Sequence, residues 1–129
     1  MNITVDEAIA LLREAVIGRE DYVYMHPDET PDVTDVGCAY THGDQPGCLI
    51  GVALHIAGVP IEVLAALNHN HISSMDVLDD LLEAGFALDN HAVHVFMCAQ
   101  LAQDDREPWK VALHRAEDVY KTLTTEATA

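Results

Sequence analysis

What most narrows how this chain can fold is the stretch from Pro46 to Val59, PGCLIGVALHIAGV, its most apolar run. Pro46 suits the first position of a helix, where its missing N–H costs nothing, and Gly58 followed by Pro60 supplies the end. The reading is a helix of roughly three turns over residues 46–57. Apart from His55 it is apolar on every face, so the rest of the chain must enclose it. Gly47 and Gly51 lie four apart on one side, and without Cβ atoms there a second backbone can come close.

The flanking segments read as the enclosing elements. Thr4 and Glu7 form a capping-box pair with Ile3 and Ala8 as the staple, and Val5, Ile9, Leu12 and Val16 follow a helical period up to Gly18, giving a helix over 5–17. Residues 21–25 and 37–40 are aromatic and β-branched, and they are expected to pair as an antiparallel ribbon across a Pro- and Asp-rich loop. Pro60 opens a short helix carrying Ile61, Leu64 and Leu67 inward to Asn68, and the NHNH segment follows as a loop. Ser73 with Asp76 then caps a helix that turns Val77, Leu78, Leu81 and Leu82 inward and ends at Gly85. A helix from Asn90 to about Gln103 repeats Val93, Phe96, Met97, Gln100 and Leu101 at the helical period. After Pro108, Trp109, Leu113, Ala116, Tyr120 and Leu123 mark the stripe of a last helix, and residues 124–129 are expected to fray. The fold class expected is α+β, helix-dominated. About six helices surround a buried central one, with one small two-stranded antiparallel ribbon, in a single domain over 1–129.

Charge limits the partners. The chain carries 22 acidic against 6 basic residues, a net charge of −16, and no Lys or Arg stands between Glu20 and Asp105. Direct nucleic-acid binding is disfavoured, because phosphate contacts need a basic surface. The partners compatible with such a surface are a basic protein face, a metal ion or another copy of the chain. No run approaches the ~20 apolar residues of a membrane span, and the acidic, helix-patterned N-terminus is unlike a signal peptide, so a soluble cytoplasmic protein is expected. Three cysteines, Cys38, Cys48 and Cys98, are an odd number, and in that setting they are expected to be reduced, although Cys38 and Cys48 could pair across the turn.

Two sets of residues carry candidate chemistry. His91, His94 and Cys98 stand at i, i+3 and i+7 along one side of a helix, with His69 and His71 in the preceding loop, a spacing that zinc could use if the loop closes on the helix. Cys48 sits in the first turn of the central helix, where the positive helix end favours a thiolate, with His42 and His55 as possible bases. The competing reading packs both cysteines as small apolar side chains and leaves the histidines at the surface. Gln100, Gln103 and Asp104 ahead of Trp109 read as a structural cluster, the amides capping backbone groups and the indole N–H finding an acceptor.

One spaced pattern resembles a group of small uncharacterised proteins encoded by actinobacteria and their phages. It comprises Tyr22, Val23 and Tyr24; Cys38 and Tyr40; PGCLIG at 46–51; Gly58 and Val59; Gln100, Gln103 and Asp104; and Trp109, Ala112 and Ala116. That group has a glycine soon after the Gln-Asp pair, where this chain has Asp105-Arg106-Glu107, so the turn there is expected to differ. The resemblance implies a phage or actinobacterial origin and brings no activity with it. The function expected is that of a small acidic accessory protein acting by protein–protein binding or self-association, without a cofactor. The alternatives are a zinc- or cysteine-dependent hydrolase and an acidic nucleic-acid mimic that binds a basic host protein.

Overall fold

The structure is a computed structural model that describes residues 1–24, 39–67 and 72–128. In chain order the elements are β1 (Asn2–Ile3), α1 (Val5–Val16), β2 (Thr41–His42), β3 (Gln45–Pro46), α2 (Leu49–Ala57), α3 (Ile61–Ala66), α4 (Met75–Glu83), β4 (Ala87–Leu88), α5 (Asn90–Asp104) and α6 (Trp109–Thr128). The fold is the helix-dominated α+β arrangement with a small antiparallel ribbon that the sequence suggested. Helix α2 is its centre: Leu49 through Leu54 are all buried, and α1 and α5 pack directly on it. Helices α5 and α6, joined by the turn 105–108, pack along each other more extensively than any other pair, and α1 lies against both.

The antiparallel ribbon forms later in the chain than expected. It pairs Thr41 with Pro46 and His42 with Gln45, a stretch that reads in sequence as a turn leading into the helix. Gly43, at φ +67°, takes the first central position of the two-residue turn, where a tight hairpin needs a positive φ. Residues 22–24 have no regular structure, and Met25, Gly37 and Cys38 lie outside the described residues. The ribbon also delays α2. Gly47 N–H donates to Tyr40 O at 2.8 Å and Cys48 N–H to Ala39 O at 2.9 Å, so the chain stays extended past Pro46 and the helix begins at Leu49. Cys48 is its N-cap, with Sγ accepting from Gly51 N–H at 3.4 Å, and Gly58, at φ +111°, closes it in the left-handed conformation.

The close backbone approach expected at the paired glycines is made by residues 39 and 40. A Cβ on Gly51 would stand 2.9 Å from Tyr40 Cα, and one on Gly47 would stand 2.7 Å from Ala39 O. Helix α1 starts as expected, with Thr4 Oγ1 accepting from Glu7 N–H at 3.2 Å and Ile3 and Ala8 buried. A parallel pairing of β1 with β4, Asn2 beside Ala87 and Ile3 beside Leu88, has no counterpart in the sequence reading, because two-residue strands are too short to show an alternating pattern. Two further boundaries and the facing of two leucines differ. Ser74, not Ser73, is the N-cap of α4; Leu82 and Leu101, expected inward, are more than half exposed; and α6 continues to Thr128 through the stretch expected to fray.

Candidate functional site

Cys48 is fully buried and disulfide-bonded, which overturns the expectation of a reduced thiol at that position. Cys98 is free, and Cys38 lies outside the described residues. The Cys48 N–H to Ala39 O hydrogen bond holds residue 39 against the start of α2. The bond removes the free thiolate that a nucleophilic role for Cys48 requires. The two candidate bases are engaged elsewhere, His42 Nε2 lying 3.3 Å from Tyr24 Oη and His55 Nδ1 lying 3.2 Å from Val59 O.

His91 and His94 are exposed on α5 and Cys98 is half-buried there. No group of three His, Cys, Asp or Glu side chains placed to hold a metal occurs among the described residues, and His69 and His71 lie outside them. Burial pushes the Cys98 thiol up from its ordinary value, the reverse of what a ligating or nucleophilic sulfur needs.

The polar cluster does what the sequence suggested for its amides. Gln103 Oε1 accepts the Leu49 N–H at 2.7 Å at the start of α2, and Gln100 Oε1 accepts the Ile72 N–H at 3.0 Å. Both glutamines are fully buried, so each satisfies a donor that water cannot reach. Gln100 Nε2 donates to Tyr40 Oη at 3.3 Å, and Tyr24 Oη accepts the Ala39 N–H at 3.0 Å, tying residues 39 and 40 to α5 and to residue 24. The indole departs from expectation: Trp109 Nε1 is buried and has no hydrogen-bond partner among the described residues. Its ring instead meets Tyr22 edge-on at 4.8 Å and the Arg19 guanidinium, a cation 6.0 Å from its centroid.

One surface hollow lies between α5 and α6, and no α1 residue lines it. It is a groove of about 740 Å³ whose floor is Cys98, Leu101, Ala102 and Val119. Asp104, Asp105 and Asp118 stand on its rim together with Arg115, whose guanidinium is 3.7 Å from Glu107. A second hollow of about 390 Å³ shares Asp118 and Val119 with it and continues past His94 and Thr122 to Leu123. The sequence reading missed this face because it assigned Leu101 to the core, whereas Leu101 is 53% exposed. The position of Leu101 among the acids Asp104 and Asp105 was the available signal. Compared with protein-family models, with curated proteins and with solved structures, the chain matches none.

Proposed function

We propose that this chain is a small acidic accessory protein, of phage or actinobacterial type, that acts in the cytoplasm by binding another protein. The observation that supports the reading is the groove between α5 and α6, apolar along its floor and acidic at its rim, in a molecule of net charge −16. An exposed leucine set among carboxylates between two helices is compatible with a small protein-binding face. The disulfide at Cys48 counts against a reducing cytoplasm, where such bonds are rare, so a thiol count on protein taken from its own cells tests that part of the reading.

The test is affinity purification with the intact chain as bait from cells of its own source. A discrete basic partner, retained in low salt and released as salt rises, is the expected result. Recovery of no partner, or of one held equally at all salt concentrations, would contradict the reading. The nucleic-acid mimic is the special case in which added duplex DNA displaces that partner, since both would compete for one basic surface. Of the hydrolase alternatives, the cysteine form has lost its nucleophile to the disulfide. The zinc form predicts stoichiometric metal in the purified protein that disappears in His94→Ala.

A further inference from the structure

Helix α1 already shows how the α5–α6 pair receives a third helix. It packs against both, with Arg13 Nε 3.0 Å from Glu117 Oε2 and Asp6 Oδ1 2.5 Å from Tyr120 Oη. The groove residues of α6, Arg115, Asp118, Val119 and Thr122, stand about half a turn from Glu117 and Tyr120 at ~100° per residue, and no α1 residue lines the groove. The hairpin thus offers two opposite valleys, one filled by α1 and one open.

The open valley is acidic, and part of that charge is unfavourable to the fold. Asp104 ends α5 and accepts a hydrogen bond from Gln103 Nε2 at 3.0 Å, while Asp105 is the C-cap, so a second carboxylate sits at the negative end of the helix dipole, where acids destabilise. Asp118 adds a third from α6, while the rim's one base, Arg115, lies near Glu107. A cationic occupant would convert this unfavourable arrangement into attraction. From His94 to Asp105 the groove runs eleven residues of α5, ~16 Å at 1.5 Å per residue, which matches about three turns of a docked helix.

We propose that this valley is the docking groove for a basic amphipathic helix of about three turns on the partner protein. The proposal rests on the protein-binding reading above and names the surface and the partner's chemistry. The partner presents apolar side chains at i, i+3, i+4 and i+7 to Leu101, Ala102 and Val119, and flanking Lys or Arg to Asp104, Asp105 and Asp118. A second copy of this chain is a poor occupant, because it brings the same net charge of −16 to the same acidic rim.

The experiment measures fluorescence anisotropy of four labelled peptides titrated with the intact, oxidised protein. One carries Leu at helical spacing among Lys, the second has the same composition in strict alternation, the third replaces Lys by Glu, and the fourth replaces Leu by Ser. The first is expected to bind at least tenfold more tightly than the others. Leu101→Lys, at a position more than half exposed, is expected to weaken that binding at least tenfold while leaving the melting temperature nearly unchanged. Asp118→Lys should weaken it as well.

Equal binding of the helical and alternating peptides would overturn the proposal, as would unchanged affinity in Leu101→Lys. In the first case charge-driven binding to proteins survives without a groove. Failure of all four peptides to bind, alongside a partner recovered by affinity purification, likewise removes the groove and leaves the broader reading standing.

Discussion

Gln103 reaches across 54 residues of sequence to the first turn of α2, where its Oε1 accepts the Leu49 N–H. That N–H belongs to a helix start, has no partner within the helix, and lies in the core, so the amide replaces the water that an exposed helix end would use. Replacing Gln103 by Leu keeps the volume and removes the acceptor. The expected loss is ~1–3 kcal/mol, the cost of leaving one buried donor unmade, read as a lower urea midpoint at unchanged slope. Tyr24 and Tyr40 hold the neighbouring strand from the other side, and burial pushes both phenols up to about 12. In the unfolded chain a tyrosine loses its proton near ~10, so between the two values the folded state binds more protons. The stability tied to these phenols is whole below that lower value and is lost as pH rises through about 12. Urea midpoints measured from neutral pH upward are expected to fall along this limb, and Tyr40→Phe should fall less steeply. Equal slopes in the two proteins would mean that Tyr40 is not the titrating group.

At the scale of elements, legibility followed the length of the pattern. Helices α1, α5 and α6 are long enough to show periodicity, and their caps at Thr4 and Asp89 follow side-chain rules that a sequence displays. The short strands do not, and the ribbon at 41–46 depends on hydrogen bonds from Gly47 and Cys48 to residues 40 and 39 that no local propensity reveals. The turn after α5 shows the same limit. Arg106 takes the left-handed conformation at φ +66°, the place a glycine would fill, and its Nη1 donates to Tyr24 O at 2.7 Å. The candidate groove was hidden for a related reason: helical spacing places Leu101 near the core face, and only the packing of α6 shows that it faces out. The acids at the end of α5 bear on stability as well as binding. Asp105→Lys exchanges an unfavourable for a favourable charge at that terminus, so the variant is expected to be more stable by ~0.3–1 kcal/mol. It should also bind the helical Lys/Leu peptide more weakly. A variant destabilised in urea would show that the carboxylate is needed for the fold.

For the whole molecule the deciding quantity is the imbalance of charge. Among the described residues, Arg13 pairs with Glu117 at 3.0 Å and Lys110 with Asp21 at 2.8 Å, and Arg115 lies 3.7 Å from Glu107, all between side chains open to solvent. Exposed pairs of this kind contribute little, because solvent screens them and holding two long side chains in place costs entropy. Against them stand 22 acids with 6 bases in the whole chain, so mutual repulsion of the unmatched carboxylates outweighs attraction. At about 10 mM salt the screening length is ~30 Å, longer than the spacing between neighbouring surface charges, and at about 0.15 M it shrinks to ~8 Å. Salt therefore removes long-range repulsion before it weakens the ion pairs in contact. The melting temperature is expected to rise from about 10 mM to about 0.3 M sodium chloride, a range low enough that salting-out of apolar groups adds little. A melting temperature that falls over this range would mean that the exposed ion pairs outweigh the repulsion. The same screening acts oppositely on a basic partner, whose attraction to the α5–α6 rim weakens as salt rises. One titration with sodium chloride should thus stabilise the free chain and loosen its complex, an opposition that a purely apolar docking surface would not produce.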